Sequence, residues 1–389
     1  MRGFLMEAVK GFKDVADASK KIIIRNIIED TFRNYNYNPV ETPLIETEEF
    51  VKGENENDEA VSNIFKLKDR GKRDLALRYE FTFQLKRLAK NKKLPYKRYQ
   101  IGEVFRDEPI GPNRWRQFTQ CDVDVVGSSI KDEAEILKIT SEILKNLKID
   151  FVINFNNRKL LNEILADCNI KDKNRSDIIR EIDKLDKLSE KEVMENLKKF
   201  NAEKILLIFK KPEKYFERYS YYNEINELKK FCMLLGVKIN FQPFLARGLS
   251  YYNGSIFEIK SSKLEQTITA GGSYLVNGIQ STGISFGLDR LELLTSINKN
   301  KKKLLVISLN QDKKAIAIAD TVRKNGIACS LFYGKPGKAL DYANSYKINY
   351  VVFVGENEVK KKKFTLKDMN SGKEWQVVEQ ELVKKLLKL

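Results

Sequence analysis

The stretch from Tyr99 to Gly127, YQIGEVFRDEPIGPNRWRQFTQCDVDVVG, constrains the fold more than any other part of the chain. It predicts two strands joined by a polar loop that is rich in Gly, Pro and Asn. In the second strand, Gln120, Asp122 and Asp124 fall on one face, and small apolar residues fall on the other face. A sheet that buries one side and presents carboxylates on the other displays a polar working surface.

Arginines stand at both ends of this loop. Arg106 closes the first strand, and Arg114 and Arg116 precede the second strand. Guanidinium groups close to carboxylates suit a ligand that carries both phosphate and positive charge. Taken alone, the stretch is also compatible with a solvated hairpin that carries surface ion pairs.

The chain has 389 residues, which is enough for two or three domains and a sizeable core. Its formal charge of +17 comes from 71 basic and 54 acidic residues, and it favours a polyanionic partner such as nucleic acid. A generally lysine-rich set of proteins in the source organism would give the same balance. The four cysteines are widely scattered, which indicates reduced thiols. No stretch approaches the length of a membrane-spanning helix, and we expect a cytoplasmic protein with no membrane contact.

The chain contains no histidine. This excludes Ser-His-Asp hydrolysis, histidine-ligated metals and imidazole as a general base. Chemistry must therefore rest on arginines and carboxylates, and the sequence displays no dedicated metal motif.

The hairpin resembles motif 2 of the class II aminoacyl-tRNA synthetases, in the form found in histidyl-tRNA synthetases. The stretch DLALRYEFTF, from Asp74, predicts a strand that enters a helix. It resembles a family sequence in which Leu-Arg-Pro-Glu is followed by one residue and Thr. Tyr79 replaces the proline here, which removes a fixed φ, while Glu80 and Thr82 stay in register.

Two later stretches extend the resemblance. PFLARGLSYYNGSIFEI resembles the family's Arg-Gly-Leu-Asp-Tyr-Tyr signature. Arg247, Tyr251 and Tyr252 are retained there, and Ser250 replaces the aspartate. Farther along, ITAGGSYLVNG stands where the family has Gly-Gly-Arg-Tyr-Asp, so that two glycines permit close backbone approach to a ligand. The two glycines are Gly271 and Gly272, and Ser273 and Leu275 stand in place of the arginine and the aspartate of the family pattern.

Motifs 3 and 1 complete the resemblance. STGISFGLDRLELLTSI resembles motif 3 and predicts a strand that enters a helix, with Arg290 in the first turn beside N–H groups that favour phosphate. NYNYNPVETPLIE, from Asn34, resembles motif 1, and Pro43 is at the matching position. Because motif 1 builds the dimer interface in this class, the resemblance implies a homodimer.

Residues from about 155 to 240 are charged, poor in glycine and helical in pattern, and they predict a helical insertion between catalytic strands. Ser189 and Glu192 predict a capping box within it. After a basic linker, apolar strands at 304–309, 327–332 and 350–355 alternate with helices at about 312–324 and 337–346. This order predicts a parallel sheet and resembles the anticodon-binding domain of several class II enzymes.

The predicted fold class is thus an α+β catalytic core, with an antiparallel sheet flanked by helices, a helical insertion and a C-terminal α/β domain. The predicted domains are a class II synthetase-like catalytic domain at residues 1–300 and an anticodon-binding-like domain at residues 301–389.

By resemblance, the chain is a histidine–tRNA ligase that uses ATP to attach histidine to tRNA(His) through a histidyl-adenylate. Its partners are then tRNA(His), ATP and histidine, and Mg²⁺ accompanies ATP. The resemblance implies that Arg247 and Arg106 are catalytic, and that Arg106, Arg114 and Arg290 bind ATP. For histidine binding it implies Glu80, Thr82, Gln120, Asp124, Arg247, Tyr251, Tyr252, Gly271 and Gly272.

Two other classes of protein stay open at this point. One is a non-catalytic paralogue, such as the histidyl-synthetase-like regulatory subunit of a histidine-biosynthetic enzyme, which generally lacks the terminal domain. The other is a pure RNA-binding module, which has no reason to keep the paired ATP and amino-acid positions. The absence of histidine is either regulatory, because such a chain can be translated during histidine starvation, or compositional.

Overall fold

The computed structural model describes residues 7–53, 59–186, 188–246, 251–261, 264–297 and 302–389. The chain divides into two compact units, Met1–Ile297 and Asn298–Leu389. Within the described ranges, no helix combines the length and the apolar character that crossing a lipid bilayer would require.

The first unit is built around a large mixed sheet. The strands of the first unit are β1 (Asn38–Pro39), β2 (Ile45–Thr47), β3 (Lys66–Lys68), β4 (Asp74–Leu77), β5 (Tyr96–Phe105), β6 (Gln117–Val126), β7 (Val152–Asn157), β8 (Asn240–Phe241), β9 (Tyr252–Ser261), β10 (Leu264–Val276) and β11 (Ile279–Gly287). The large sheet has the order β1-β5-β6-β11-β10-β9-β7-β8, and a small sheet has the order β2-β4-β3. The central strands are antiparallel, as predicted, whereas β1 with β5 and β7 with β8 are parallel pairs at the two edges.

Helices flank this sheet, as the sequence predicts. They are α1 (Ser19–Asn34), α2 (Glu48–Lys52), α3 (Glu59–Ser62), α4 (Thr82–Leu88), α5 (Ile130–Asn146), α6 (Arg158–Asp167), α7 (Asp172–Asp183), α8 (Glu190–Lys198), α9 (Ile205–Phe209), α10 (Tyr222–Leu234) and α11 (Leu288–Leu294). Short 3₁₀ turns span Lys184–Asp186 and Glu213–Arg218.

The core lies on one face of the large sheet. Alternate residues of β6, including Val123 and Val125, pack there with Ile28 and Phe32 of α1 and with Ile143 of α5. Burying a side chain of this size stabilises the fold by about 1.5–3 kcal/mol. The opposite face of β6 carries polar residues, with a smaller apolar cluster that includes Val126 and Ile256 at its end.

The predicted helical insertion corresponds to α6–α10, which lie between β7 and β8. Its α8 begins at the predicted capping box, in which the Ser189 backbone N–H donates to the Glu192 carboxylate at 2.8 Å. Ile182 of α7 and Leu197 of α8 belong to the same hydrophobic cluster as Phe257 of β9. The insertion thus shares the core of the sheet instead of forming a separate one.

The second unit contains β12 (Lys303–Ser308), α12 (Asp312–Lys324), β13 (Ala328–Tyr333), α13 (Pro336–Ser345), β14 (Tyr350–Val354), α14 (Glu356–Lys361), β15 (Lys363–Asp368), β16 (Glu374–Val378) and α15 (Glu379–Lys388). Its sheet has the order β13-β12-β14-β15-β16. The predicted parallel strands β12, β13 and β14 are confirmed, and β15 and β16 extend the sheet in the antiparallel sense. Hydrophobic clusters cover both faces.

Glu133 is a buried carboxylate in the first turn of α5, whose N-terminus is capped by Ser129 and Asp132. It accepts a hydrogen bond from Ser255 Oγ at 2.6 Å and another from Ser273 Oγ. At position 273 the family pattern has an arginine, so here a hydroxyl group, and not a cation, meets the carboxylate. Burial outweighs both hydrogen bonds and raises the pKa of Glu133 to about 7.

Glu133→Gln should therefore change how stability depends on pH. Because the pKa rises from 4.5 to about 7 on folding, the stability that Glu133 contributes is fully present below pH 4.5 and is lost as the pH rises through about 7. The shift corresponds to about 3 kcal/mol. The free energy of unfolding of each protein should be measured in urea at both ends of this pH range. At the higher pH, the variant should be more stable than the wild type by up to that amount. The exposed Glu195→Gln is the matched control, and equal pH dependence in all three proteins would contradict the expectation.

Candidate active site

The β5–β6 hairpin forms the floor of the candidate site. Its antiparallel register sets three pairs of residues opposite one another: Arg98 and Asp124, Gln100 and Asp122, and Gly102 and Gln120. Because side chains alternate between the faces of a strand, these positions share the face that points away from the core. The structure places Gln120, Asp122 and Asp124 on one face of β6, as predicted.

The neighbouring strands leave space for this floor. Gly283 of β11 lies opposite Asp124, and a Cβ at Gly283 would lie 2.1 Å from Asp124 Oδ1. On β10, Gly272 lies opposite Gly283, and a Cβ at Gly272 would lie 2.9 Å from the ring of Tyr252. Glycine is therefore required by close packing around a carboxylate at Gly283, and around the Ser255 carbonyl and the Tyr252 ring at Gly272.

Asp124 is buried and ion-paired. Arg98, with an exposed fraction of 0%, brings its Nη2 to 2.8 Å from Asp124 Oδ2. The N–H is not aligned with that oxygen, and Oδ2 has no hydrogen-bond donor among the described residues. Oδ1 accepts a hydrogen bond from the Tyr274 hydroxyl. Burial raises the pKa of Asp124, while Arg98 and Tyr274 favour its ionised form. Arg98 is thus an ion-pair partner of Oδ2, and the oxygen can accept a hydrogen bond from a ligand in addition.

A second carboxylate is held beside it. Ser285 Oγ donates to Asp122 Oδ1 at 2.5 Å, and Gln120 Nε2 donates to Ser285 Oγ at 2.7 Å. Burial and the nearby Asp124 raise the pKa of Asp122. Gln120 Oε1 is buried and has no partner in the described part of the chain. The chain of hydrogen bonds orients Gln120 so that its amide oxygen remains available.

Glu80 and Arg106 border the floor. Glu80 lies in the connection between β4 and α4 and is buried. Burial raises its pKa to about 7, with Arg106 opposing the rise and the like charges of Asp122 and Asp124 adding to it. Arg106 follows β5 directly, donates from Nε to the Tyr79 carbonyl at 3.1 Å, and lies over an aromatic ring. Three carboxylates thus belong to one region with the guanidinium groups of Arg98, Arg106 and Arg78, the last of which lies beside Gly102.

Tyrosines line the same region. The rings of Tyr251 and Tyr252 are 4.8 Å apart, and those of Tyr251 and Tyr274 are 5.7 Å apart. Burial raises the pKa of Tyr251 and of Tyr274 well above the usual range, so both hydroxyls stay protonated and can donate. Together they give the site an apolar lining with polar tips.

The remaining predicted residues lie in different settings. Arg114 forms an ion pair with Glu108 in the hairpin loop, with Nε 2.8 Å from Oε2. Arg290, the third residue of α11, donates to the Thr267 carbonyl. Thr82 is the first residue of α4 and is half-buried.

Two predicted residues need separate mention. Gly271 lies opposite Ile284, a core residue, and not on the floor side of the sheet. Arg247, like the departure at Ser250, lies outside the described residues.

Sequence reasoning missed Arg98 and Tyr274 as site residues. The signal for Arg98 was the alternation in YKRYQIGEVF, which places it on the same strand face as Gln100 and Gly102. The signal for Tyr274 was its retention in the GGSY sequence beside the two glycines.

The unpaired polar atoms show what the site can bind. Within the described ranges, the buried atoms without hydrogen-bond partners include several on this floor: Nε and Nη1 of Arg98, Oε1 of Gln100, Oε1 of Gln120 and Oδ2 of Asp124. Each such group costs about 1–3 kcal/mol unless a ligand or water satisfies it. Acceptors beside carboxylates suit a ligand with ammonium or N–H groups, and the bordering arginine suits an anion. The described residues contain no cluster of Cys, Asp and Glu suited to hold a metal ion.

Comparison with known proteins gives two family matches. The model described as histidyl-tRNA synthetase matches residues 11–291, and the model described as anticodon binding domain matches residues 301–389. The predicted resemblance is thereby confirmed for both parts of the chain.

Individual relatives match over nearly the full length. Histidine–tRNA ligase 1 of Bacillus cereus is 34% identical, covering 96% of this chain and 95% of that protein. Histidine–tRNA ligase 2 of Shouchella clausii is 33% identical, covering 97% and 99% respectively. The crystal structure of histidyl-tRNA synthetase from Nostoc sp. PCC 7120 has a TM-score of 0.86 at 25% identity, covering 98% of this chain and 99% of that one.

A further structure shares the fold alone. It is titled ATP phosphoribosyltransferase regulatory subunit/histidyl-tRNA synthetase from Bacillus halodurans C, and it has a TM-score of 0.77 at 21% identity, covering 91% of this chain. The identity over nearly the whole length of the curated relatives, together with the family model over most of the chain, decides the assignment: this chain belongs to the histidyl-tRNA synthetase family.

Proposed function

We propose that the floor of the first unit holds histidine while the enzyme attaches it to tRNA(His) with the energy of ATP. The observation that carries this proposal is a pair of buried acceptors beside Glu80 that receive no hydrogen bond from the described residues, Gln120 Oε1 and the ion-paired Asp124 Oδ2. Histidine supplies an ammonium group and an imidazole N–H, and both are donors that such acceptors need.

The roles of the histidine-binding residues follow from this arrangement. Glu80 and Gln120 bind the ammonium group, with Thr82 close by in sequence. Asp124 Oδ2 accepts the imidazole N–H, while Tyr252 and Tyr251 wall the site from water. Support comes from the burial of the two carboxylates and from the contact between the two tyrosine rings.

We assign the anionic part of the reaction to the arginines. Arg106, which acts on Glu80 and Asp122, is assigned to the α-phosphate together with Arg247. Arg290 and Arg114 are assigned to the outer phosphates of ATP, which enters as its Mg²⁺ complex. Arg114 must exchange its contact with Glu108 for phosphate oxygens, and its exposed side chain makes that exchange inexpensive.

The reaction proceeds in two displacements. The histidine carboxylate attacks the α-phosphorus of ATP, which forms the adenylate and releases pyrophosphate. A ribose hydroxyl of the terminal adenosine of the tRNA then attacks the adenylate carbonyl, and AMP leaves. The protein contributes alignment of the reactants and stabilisation of charge that develops on phosphate oxygens.

The regulatory paralogue is not favoured as an alternative. Curated relatives that cover nearly the whole chain are named histidine–tRNA ligase, and the second unit matches the anticodon-binding family model. We assign tRNA anticodon contact to that unit and a cytoplasmic location to the protein. A homodimer is proposed from the motif around Pro43, and light scattering that finds only monomers at micromolar protein would contradict it.

The function is tested by ATP–pyrophosphate exchange with each amino acid in turn. Histidine alone should support exchange, because Asp124 Oδ2 requires a side-chain N–H donor at that point in the site. Exchange with another amino acid and not with histidine would overturn the proposed function.

Asp124→Asn should raise the KM for histidine far more than the KM for ATP. A hydrogen bond to a charged group contributes about 1.5–3 kcal/mol, which is roughly ten- to a hundredfold in KM. Asparagine is preferable to alanine here because alanine would leave the buried Arg98 beside a cavity. Asp122→Asn is the matched control, since it removes a carboxylate of equal burial from the same strand face and should have the smaller effect. Equal changes for both substrates would show that Asp124 is structural.

Arg247→Ala should lower histidine-dependent exchange by about a hundred- to a thousandfold, as expected for one preorganised donor to a transition state. The apparent binding of both substrates should change little, because the contact strengthens as charge develops. Arg247→Lys should restore part of the rate, since lysine keeps the charge but not the planar fork. Exchange near the wild-type rate in the alanine variant would remove Arg247 from the mechanism.

A further inference from the structure

Arg98 is a buried cation in the floor of the site that none of the roles above uses. It lies on β5, directly opposite Asp124 on β6. Besides the 2.8 Å contact with Asp124 Oδ2, its Nη2 donates to the Phe81 carbonyl at 3.4 Å. A fully buried arginine is costly to keep unless its charge is needed, because removing such a group from water is unfavourable.

The charges around Asp124 come from several elements. Arg98 faces it from β5, Asp122 from its own strand and Tyr274 from β10. Glu80 acts on it from the connection before α4, and Arg106 acts on the adjoining Asp122. The facing position on β11 is Gly283, which carries no charge.

The ring of a bound ligand meets the charge next to Asp124. Arg98 lies at Asp124 Oδ2, and farther along the floor Arg78 lies beside Gly102 and acts on Asp122. A protonated imidazole would add a further cation against Asp124 Oδ2, at the oxygen where Arg98 already lies, whereas a neutral imidazole would donate its N–H without adding charge.

We infer that Arg98 is a specificity-determining positioning residue, which by pairing with Asp124 makes the site accept neutral imidazole and reject imidazolium. The inference rests on the proposed function, since it concerns the ring of histidine in that site. Arg98 acts through Asp124 and does not touch the reacting atoms.

The consequence is a defined pH dependence of histidine use. Free imidazole has a pKa of about 6.5, so the neutral fraction falls about tenfold for each pH unit below it. The kcat/KM for histidine should fall with that fraction. Glu80 and Asp122 also titrate near this range, so histidine alone cannot separate their titration from that of the ring.

Triazolylalanine separates them. This analogue has the same ammonium and carboxylate groups as histidine, but its triazole ring stays neutral over the range in which imidazole titrates. The ratio of kcat/KM for histidine to kcat/KM for triazolylalanine, measured by ATP–pyrophosphate exchange on the full chain, cancels the titration of Glu80 and Asp122. In the wild type this ratio should fall about tenfold per pH unit below the imidazole pKa.

Two variants test the part played by Arg98. Arg98→Met removes the charge and keeps an unbranched side chain, so the Asp124–imidazole pair can hold the additional proton and the fall in the ratio should flatten or move to lower pH. Arg98→Lys keeps the charge and should retain the wild-type slope. Circular dichroism and thermal melting check that each variant is folded.

The outcomes are decisive even if Arg98→Met does not fold. A pH-independent ratio in the wild type, or a flattened ratio in Arg98→Lys, overturns the inference, and so does a wild-type slope in a folded Arg98→Met. If histidine is the one natural amino acid that supports exchange but the ratio does not change with pH, the inference fails and the proposed function stands. No histidine-dependent exchange at any pH overturns both.

Discussion

The register of β5 against β6 is the constraint on which the catalytic unit depends. Side chains alternate along each strand, so a slip of one residue would turn Asp124 toward the core and Val123 toward the polar face. Packing of Val123 with α1 and α5 resists such a slip on one face. Pairing of Arg98 with Asp124 resists it on the other face. The apolar and the charged face therefore select the same alignment by independent means.

Charge within this floor is held in a balance that is easily disturbed. Removing one member of a buried ion pair typically costs about 3–5 kcal/mol, because the other charge is left uncompensated. Asp124 therefore tolerates replacement by an amide better than truncation. Glu133 shows the other solution to the same problem on the core side of the sheet, where two hydroxyl groups accommodate a carboxylate that takes up a proton near neutral pH.

The sequence pattern predicted the elements whose structure depends on residues close together in the chain. The helix at 312–324 was predicted with the bounds found, since its apolar residues recur at helical spacing and strands flank it. The placement of Gln120 and Asp124 on one face followed from strand alternation alone. The parallel edge pairs were missed because β1 and β8 have two residues each, too few to show a period.

Other features depended on contacts between distant segments. Arg98 is polar in a strand of mixed character, and only the pairing with Asp124 across the hairpin makes it a site residue. Arg114 was assigned to phosphate, but without a ligand its partner is Glu108, six positions away. β15 and β16 escaped prediction because their charged residues, such as Lys367 and Glu374, pair across the strands. The departure at Ser273 gained its meaning only when the fold brought it to Glu133.

The helices between β7 and β8 are not a detachable module. Phe241 of β8 contacts Phe155 of β7 as well as Phe216 and Tyr222 of the helical segment, so one aromatic cluster joins them. Deleting or exchanging the helices would expose the apolar side of the sheet whose other side carries the candidate site. Substitutions on the solvent side of this segment therefore leave the sheet unchanged, whereas substitutions on its inner surface alter the packing of the sheet itself.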